Sequence, residues 1–150
     1  MANSLQHDFM EQLNELYHPL ILEHNQHPRH YEKHPEAAVI LDAYNSLCGD
    51  KFKLYLDIKA GRVEQASFSG YGCAVSKAAT SVLMDKIQGK TLEEVKTLLN
   101  EYFTTTKTDQ DLSGVSDPDL LAFAAAKKFP GRLKCAVLAW EAMEEFLQQR

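Results

Sequence analysis

The spacing of hydrophobic and polar positions changes several times along this chain of 150 residues, and each change marks an element. Phe9, Leu13, Leu16 and Leu20 recur at helical spacing, which predicts an amphipathic first helix. Pro19 either kinks that helix or opens a new turn at its own position. The stretch HNQHPRHYEKHPEA (24–37) is polar, punctuated by prolines, and reads as a loop. A short apolar run, AVILDAY (38–44), has the length of a strand. In KFKLYLDI (51–58), Phe52, Leu54, Leu56 and Ile58 alternate with polar residues or Tyr55, the period of a half-buried strand. KAGR (59–62) is a turn signal, and VEQASFS (63–69) returns as a third strand. Connections this short predict an antiparallel meander.

From Cys73 the period becomes helical, with Val75, Ala78, Ala79 and Val82 on one face and Gly89 as a stop. Thr91 and Glu94 have the spacing of a capping box ahead of Val95, Leu98, Leu99 and Tyr102. A polar connector (104–117) leads to Pro118, suited to the first turn of a helix over DLLAFAAAKKF that stops before Pro130. Ala136, Ala139, Trp140, Met143 and Phe146 line one face of a last helix, opposite Glu141, Glu144 and Glu145. Strands first and helices afterwards predict an α+β domain, a small three-stranded antiparallel sheet with helices on one face. Residues 1–150 are expected to form one domain, since too little chain follows the connector for a second core.

Composition narrows the partners. With 45% apolar and 25% charged residues the chain can build a core without a metal or disulfide staple. A net charge of −5 disfavours nucleic acid and anionic membrane, both of which want a basic stripe. No apolar run reaches the length of a membrane span, and the acidic, amphipathic start is unlike a signal peptide. Three cysteines are an odd count for a disulfide framework. A reducing cytoplasmic setting is therefore expected.

Each cysteine falls at a predicted seam. Cys48 precedes the second strand, Cys73 follows GYG at one helix start, and Cys135 follows FPGRLK at what reads as another. Helix N-termini favour thiolate over thiol, so two of the three positions suit a low-pKa sulfur. Two readings stand: three small buried hydrophobes, or one metal site assembled from distant loops, without the close ligand pairs of a zinc finger. Asp50 fits as a fourth ligand, because residues i and i+2 of an extended segment point the same way. It equally fits a turn acid capping its own backbone.

The motifs NSLCGD, SGYGCAVSKA and PGRLKCA, together with LYHPLILEHNQHPRH, resemble those of the IscU-like iron–sulfur assembly proteins over nearly the whole chain. The resemblance is closest to the SufU branch, the zinc-dependent sulfurtransferases of the SUF pathway. Scaffold members of the family carry a His before the third cysteine, where this chain has Lys134. SufU-type members have a longer stretch between the second and third cysteines, here the 61 residues 74–134. Ser46 departs from the proline common before the first cysteine.

This resemblance implies one Zn2+ per chain held by Cys48, Asp50, Cys73 and Cys135. It also implies that Cys48 accepts sulfur from a pyridoxal-phosphate-dependent cysteine desulfurase (SufS-like) and passes it toward an iron–sulfur scaffold downstream. Arg132 would offset the site's negative charge or hold an anionic persulfide, or else be a solvated cation at a helix start. The rival within the family is a scaffold for a transient [2Fe–2S] cluster, against which Lys134 counts because ammonium is a poor cluster ligand. A rival of another class is a structural zinc protein serving as a binding module. A cysteine hydrolase is set aside, because all six His lie at or before His34 and none accompanies a cysteine. His24, His27, His30 and His34 are read as a solvated loop, since Pro28 and Pro35 prevent one helical face from collecting them. By resemblance alone, His24 and Arg29 are candidates for partner contact.

Overall fold

A computed structural model describes residues 10, 11 and 14–150. Phe9 and Leu13 of the expected first helix lie outside the described residues, while Leu16 is buried at its end. Pro19 opens a new helix, α1 (Pro19–Gln26), as its N1 residue. His18 caps that helix, its Nδ1 accepting the Leu20 N–H at 3.1 Å.

Three strands follow: β1 (Val39–Asn45), β2 (Asp50–Lys59) and β3 (Arg62–Tyr71), in the order β1–β2–β3 and antiparallel throughout. The meander is the expected one. Its second turn consists of Ala60 and Gly61, both with positive φ (53° and 73°), the two-residue turn whose twist matches the strands it joins. Its first turn spans residues 46–49 between the paired Asn45 and Asp50. Asn45 builds that turn, its side-chain oxygen accepting the Leu47 N–H and its carbonyl the Gly49 N–H.

Helices cover one face of the sheet. Phe52, Leu54 and Leu56 point inward with Ala66 and Phe68 of β3, against α2 (Ala74–Ile87) and α5 (Pro130–Gln148). Helix α3 (Leu92–Lys107) packs on α5. It carries the predicted capping box, in which Thr91 Oγ1 accepts the Glu94 N–H and the Glu94 carboxylate accepts the Thr91 N–H. At the helical layer's centre the Tyr102 and Trp140 rings stack at 3.7 Å, the Tyr102 hydroxyl donating to the Ala136 carbonyl and the Trp140 indole to the Ala79 carbonyl.

Two helix expectations are corrected. The single helix over DLLAFAAAKKF is a short α4 (Pro118–Leu121) followed by a 3-10 segment, Ala124–Lys128. The most deeply buried positions there, Leu120, Phe123 and Ala126, are spaced by three, the repeat of a 3-10 helix. The last helix starts at Pro130 rather than just before Cys135, because Pro at N1 presets the first turn.

Candidate functional site

The first hairpin turn, the start of α2 and the first turns of α5 meet at one end of the sheet. Cys48 is exposed at the hairpin tip. The expected extended geometry does not hold there: Cys48 lies in the turn, and Gly49 (φ 73°) reverses the chain before Asp50 opens β2. The turn nevertheless brings Cys48 and Asp50 to the same side.

Asp50 is 2% exposed. Its Oδ1 accepts the backbone N–H of Cys73 at 3.0 Å, while its Oδ2 is buried with no hydrogen-bond partner. Cys73 is the N-cap residue of α2, as expected, and its carbonyl accepts the Ser76 hydroxyl. Gly72 leaves the room this requires: a Cβ there would sit 2.4 Å from Ser76 Oγ and 2.8 Å from Asp50 Oδ1.

Cys135 is buried inside α5, so the helix-start argument for a low thiol pKa does not apply to it. Burial, reinforced by the negative charge available at Asp50 and Cys73, pushes its thiol far above the usual range. Its Sγ lies 3.9 Å from Cys48 Sγ and 3.5 Å from the Gly131 carbonyl. Ligand atoms of Cys48, Asp50 and Cys135 all fall within 4.8 Å of one another. Cys73, expected as a fourth ligand, lies beside this group with its N–H on Asp50 but is not one of its members.

Arg132 stands three residues before Cys135 and faces the same cluster. The negative charge available at Cys73, with a hydrogen bond to Cys135, holds its guanidinium above its ordinary pKa. Tyr17 contributes to the same field; the sequence reading did not single it out, although it lies within the quoted LYHP motif. Lys134 is exposed beside a hollow between the hairpin tip and α5, with Leu47, Val137 and Glu141.

The donor set fits a cation. A buried carboxylate oxygen without a partner is costly, and the carboxylate that carries it has an oxygen within 4.8 Å of two sulfurs. Two sulfurs with a carboxylate oxygen, the three-member group of Cys48, Asp50 and Cys135, are donors that zinc accepts. Among the described residues this is the one such group of Cys, His, Asp or Glu.

The four histidines turn to four different partners. His27 approaches Glu23, His30 Asp85 and His34 Asp57, at 3.5, 3.2 and 3.0 Å. His24 corrects the loop reading. It belongs to α1 and is 6% exposed, with Nδ1 2.7 Å from Ser81 Oγ, which also accepts the Arg29 N–H. Burial and the nearby Arg29 lower its pKa.

Residues 16–148 match the NifU-like N terminal domain. The chain belongs to that family. Among curated NifU-like relatives it is 30% identical over 137 residues to the zinc-dependent sulfurtransferase SufU of Bacillus subtilis, covering 91% of this chain and 92% of the relative. It is 31% identical over 134 residues to the iron–sulfur cluster assembly scaffold protein IscU of Thermotoga maritima, covering 89% and 94%. Among solved structures, a putative iron–sulfur cluster assembly scaffold protein for the SUF system from Fervidobacterium islandicum superposes with a TM-score of 0.81. That structure is 27% identical and covers 89% of this chain and 98% of its own. Membership agrees with the resemblance carried by the cysteine motifs and with the α+β architecture.

Proposed function

We propose that this NifU-like protein works in iron–sulfur cluster assembly as a zinc-dependent sulfur acceptor, taking persulfide sulfur from a cysteine desulfurase onto Cys48. One observation carries the reading. Cys48 is exposed at a turn, yet its sulfur lies 3.9 Å from the buried Cys135 and within ligand distance of Asp50. A nucleophile open to a partner and also a member of a metal-ligating group suits transfer, because a partner can reach Cys48 while the buried members stay in place.

Cys48, Asp50, Cys73 and Cys135 would hold the zinc, which when bound keeps cysteine sulfurs deprotonated and has no redox chemistry of its own. The Cys48 thiolate attacks the outer sulfur of the desulfurase persulfide. A new S–S bond forms, the donor's S–S bond breaks, and the donor cysteine departs as thiolate. No net oxidation occurs. Cys48 is the member of the set free to move, since it sits beside Gly49 in an open turn. Asp50 and Cys135 are fixed by burial, and Cys73 by its place at the start of α2. Arg132, whose charge already interacts with Cys73 and Cys135, would hold the resulting persulfide anion. The sulfur would then pass to an iron–sulfur scaffold downstream, in a cytoplasmic setting. No helix of the described residues is long and apolar enough to cross a membrane.

The test is alanine release from cysteine by the organism's desulfurase, with and without the zinc-loaded protein. Saturable acceleration that disappears in Cys48→Ala is expected, and no acceleration at any concentration overturns the reading. The identity to a relative named as a scaffold supports a second reading, a transient [2Fe–2S] cluster on the same cysteines. Anaerobic reconstitution that yields a stable, transferable cluster without desulfurase stimulation would favour it.

A further inference from the structure

The sheet has a second face, which the helices do not cover. Outward-facing positions pair in rows across the three strands: Tyr44 with Lys51 and Tyr71, then Asp42 with Lys53 and Ser69. Loop 31–38 covers the far end of this face, where His34 and the Ala38 N–H both bind Asp57. The end beside the cysteines is open. Tyr44 is 61% exposed and Tyr71 65% exposed. Two hollows, of about 460 and 400 Å3, flank a ridge formed by Lys51 and Lys53. Tyr44 and Asp42 wall the first, Lys33 and Tyr55 the second, and Tyr71 borders both.

The solvated face of an antiparallel sheet ordinarily carries polar side chains. Two largely exposed tyrosines bracketing a lysine depart from that, and tyrosine is enriched where proteins bind proteins. Charge points the same way. The chain is net −5, yet this patch gathers Lys33, Lys51 and Lys53 against Asp42 alone, and Asp42 is already paired with Lys53 at 2.8 Å. Lys33 and Lys51 are left to attract an acidic occupant.

We propose that the open end of this face docks an acidic segment of a partner protein, lying along β2 with apolar side chains in the two hollows and carboxylates at Lys51 and Lys33. The surface is separate from the thiol cluster but adjoins it. Lys51 follows Asp50 directly, and the two side chains project to opposite faces. The proposal does not depend on the sulfur-transfer reading.

The test is selection of a phage-displayed random 12-residue peptide library on the full chain, with binding of the selected peptides measured by fluorescence anisotropy and mapped by amide chemical shifts. The expected peptides are acidic with interspersed apolar residues and shift Tyr44, Lys51, Lys53 and Tyr71. Lys51→Glu and Tyr71→Ala should each weaken them by about tenfold or more, roughly the loss of one central contact. Lys59→Glu, at the far end of β2, should leave binding unchanged, with thermal melts confirming that all three variants fold. Failure to enrich any sequence, enrichment of neutral or basic sequences, or undiminished binding to folded Lys51→Glu would each overturn the proposal.

Discussion

Replacing Asp50 with Asn separates a metal ligand from a structural clamp, because the two oxygens of this carboxylate have different surroundings. Oδ1 accepts the Cys73 N–H at 3.0 Å, and an Asn oxygen retains that bond. Oδ2 is buried and unpartnered, so in the metal-free protein the substitution replaces a buried, uncompensated charged oxygen with a neutral amide nitrogen in the same place. Relieving that charge gains on the order of 1–3 kcal/mol, and weakening a charge-assisted bond to a neutral one loses a comparable amount. The terms oppose each other, and metal-free stability should change by no more than about 1 kcal/mol. The zinc-bound protein should behave differently. Loss of one anionic ligand that lowers affinity about a hundredfold removes roughly 2.8 kcal/mol of ligand-linked stability at saturating metal. For a domain of this size that reduces the zinc-induced rise in Tm by about 6–11 °C. Paired thermal melts of wild type and Asp50→Asn, with chelator and with excess zinc, give both numbers. A metal-free protein destabilised by more than about 2 kcal/mol, with an unchanged zinc increment, would make Asp50 a clamp for the hairpin and refute the ligand assignment.

Other expectations follow from the same packing. Gly72→Ala places a Cβ 2.4 Å from Ser76 Oγ and 2.9 Å from the Phe52 ring; it should cost about 1–3 kcal/mol and weaken zinc binding, read by denaturant melts and metal competition. His24 is held below its usual pKa by burial and then by Arg29, so the unfolded chain binds the extra proton first. Its contribution is therefore fully present above the unfolded value of 6.5 and declines as pH falls below it. Urea titrations at pH 7.5 and 5.5 should show a loss toward acid that is smaller in His24→Asn. Tyr102→Phe leaves the buried Ala136 carbonyl without the hydroxyl that now binds it at 2.6 Å and should lower stability by about 1–2 kcal/mol, with zinc affinity unchanged.

What the chain made legible and what it hid divide along a physical line. Strands and turns were readable because their signals are local. The alternation of Phe52, Leu54 and Leu56 assigns a face to every residue of β2, and a register in which Asn45 meets Asp50 places the Cys48 turn at the sheet's end. The misplaced helix start at Pro130 was also local. FPGRLK carries proline and glycine, which punctuate loops, but proline at N1 serves a helix as well as it breaks one. His24 was hidden for a different reason. Its partner Ser81 is 57 residues away, and no periodicity marks a polar side chain whose burial depends on a distant hydroxyl. The site shows both limits together. Three cysteine motifs indicated which residues to watch, yet their unequal surroundings come only from the fold: Cys135 is buried within a helix, Cys73 sits at the start of one, and Cys48 is left at an open turn. That inequality favours sulfur transfer over storage. A site that only stored a metal would gain by burying all three thiols alike, whereas one exposed sulfur beside a half-buried and a buried one gives an incoming persulfide its readiest point of attack.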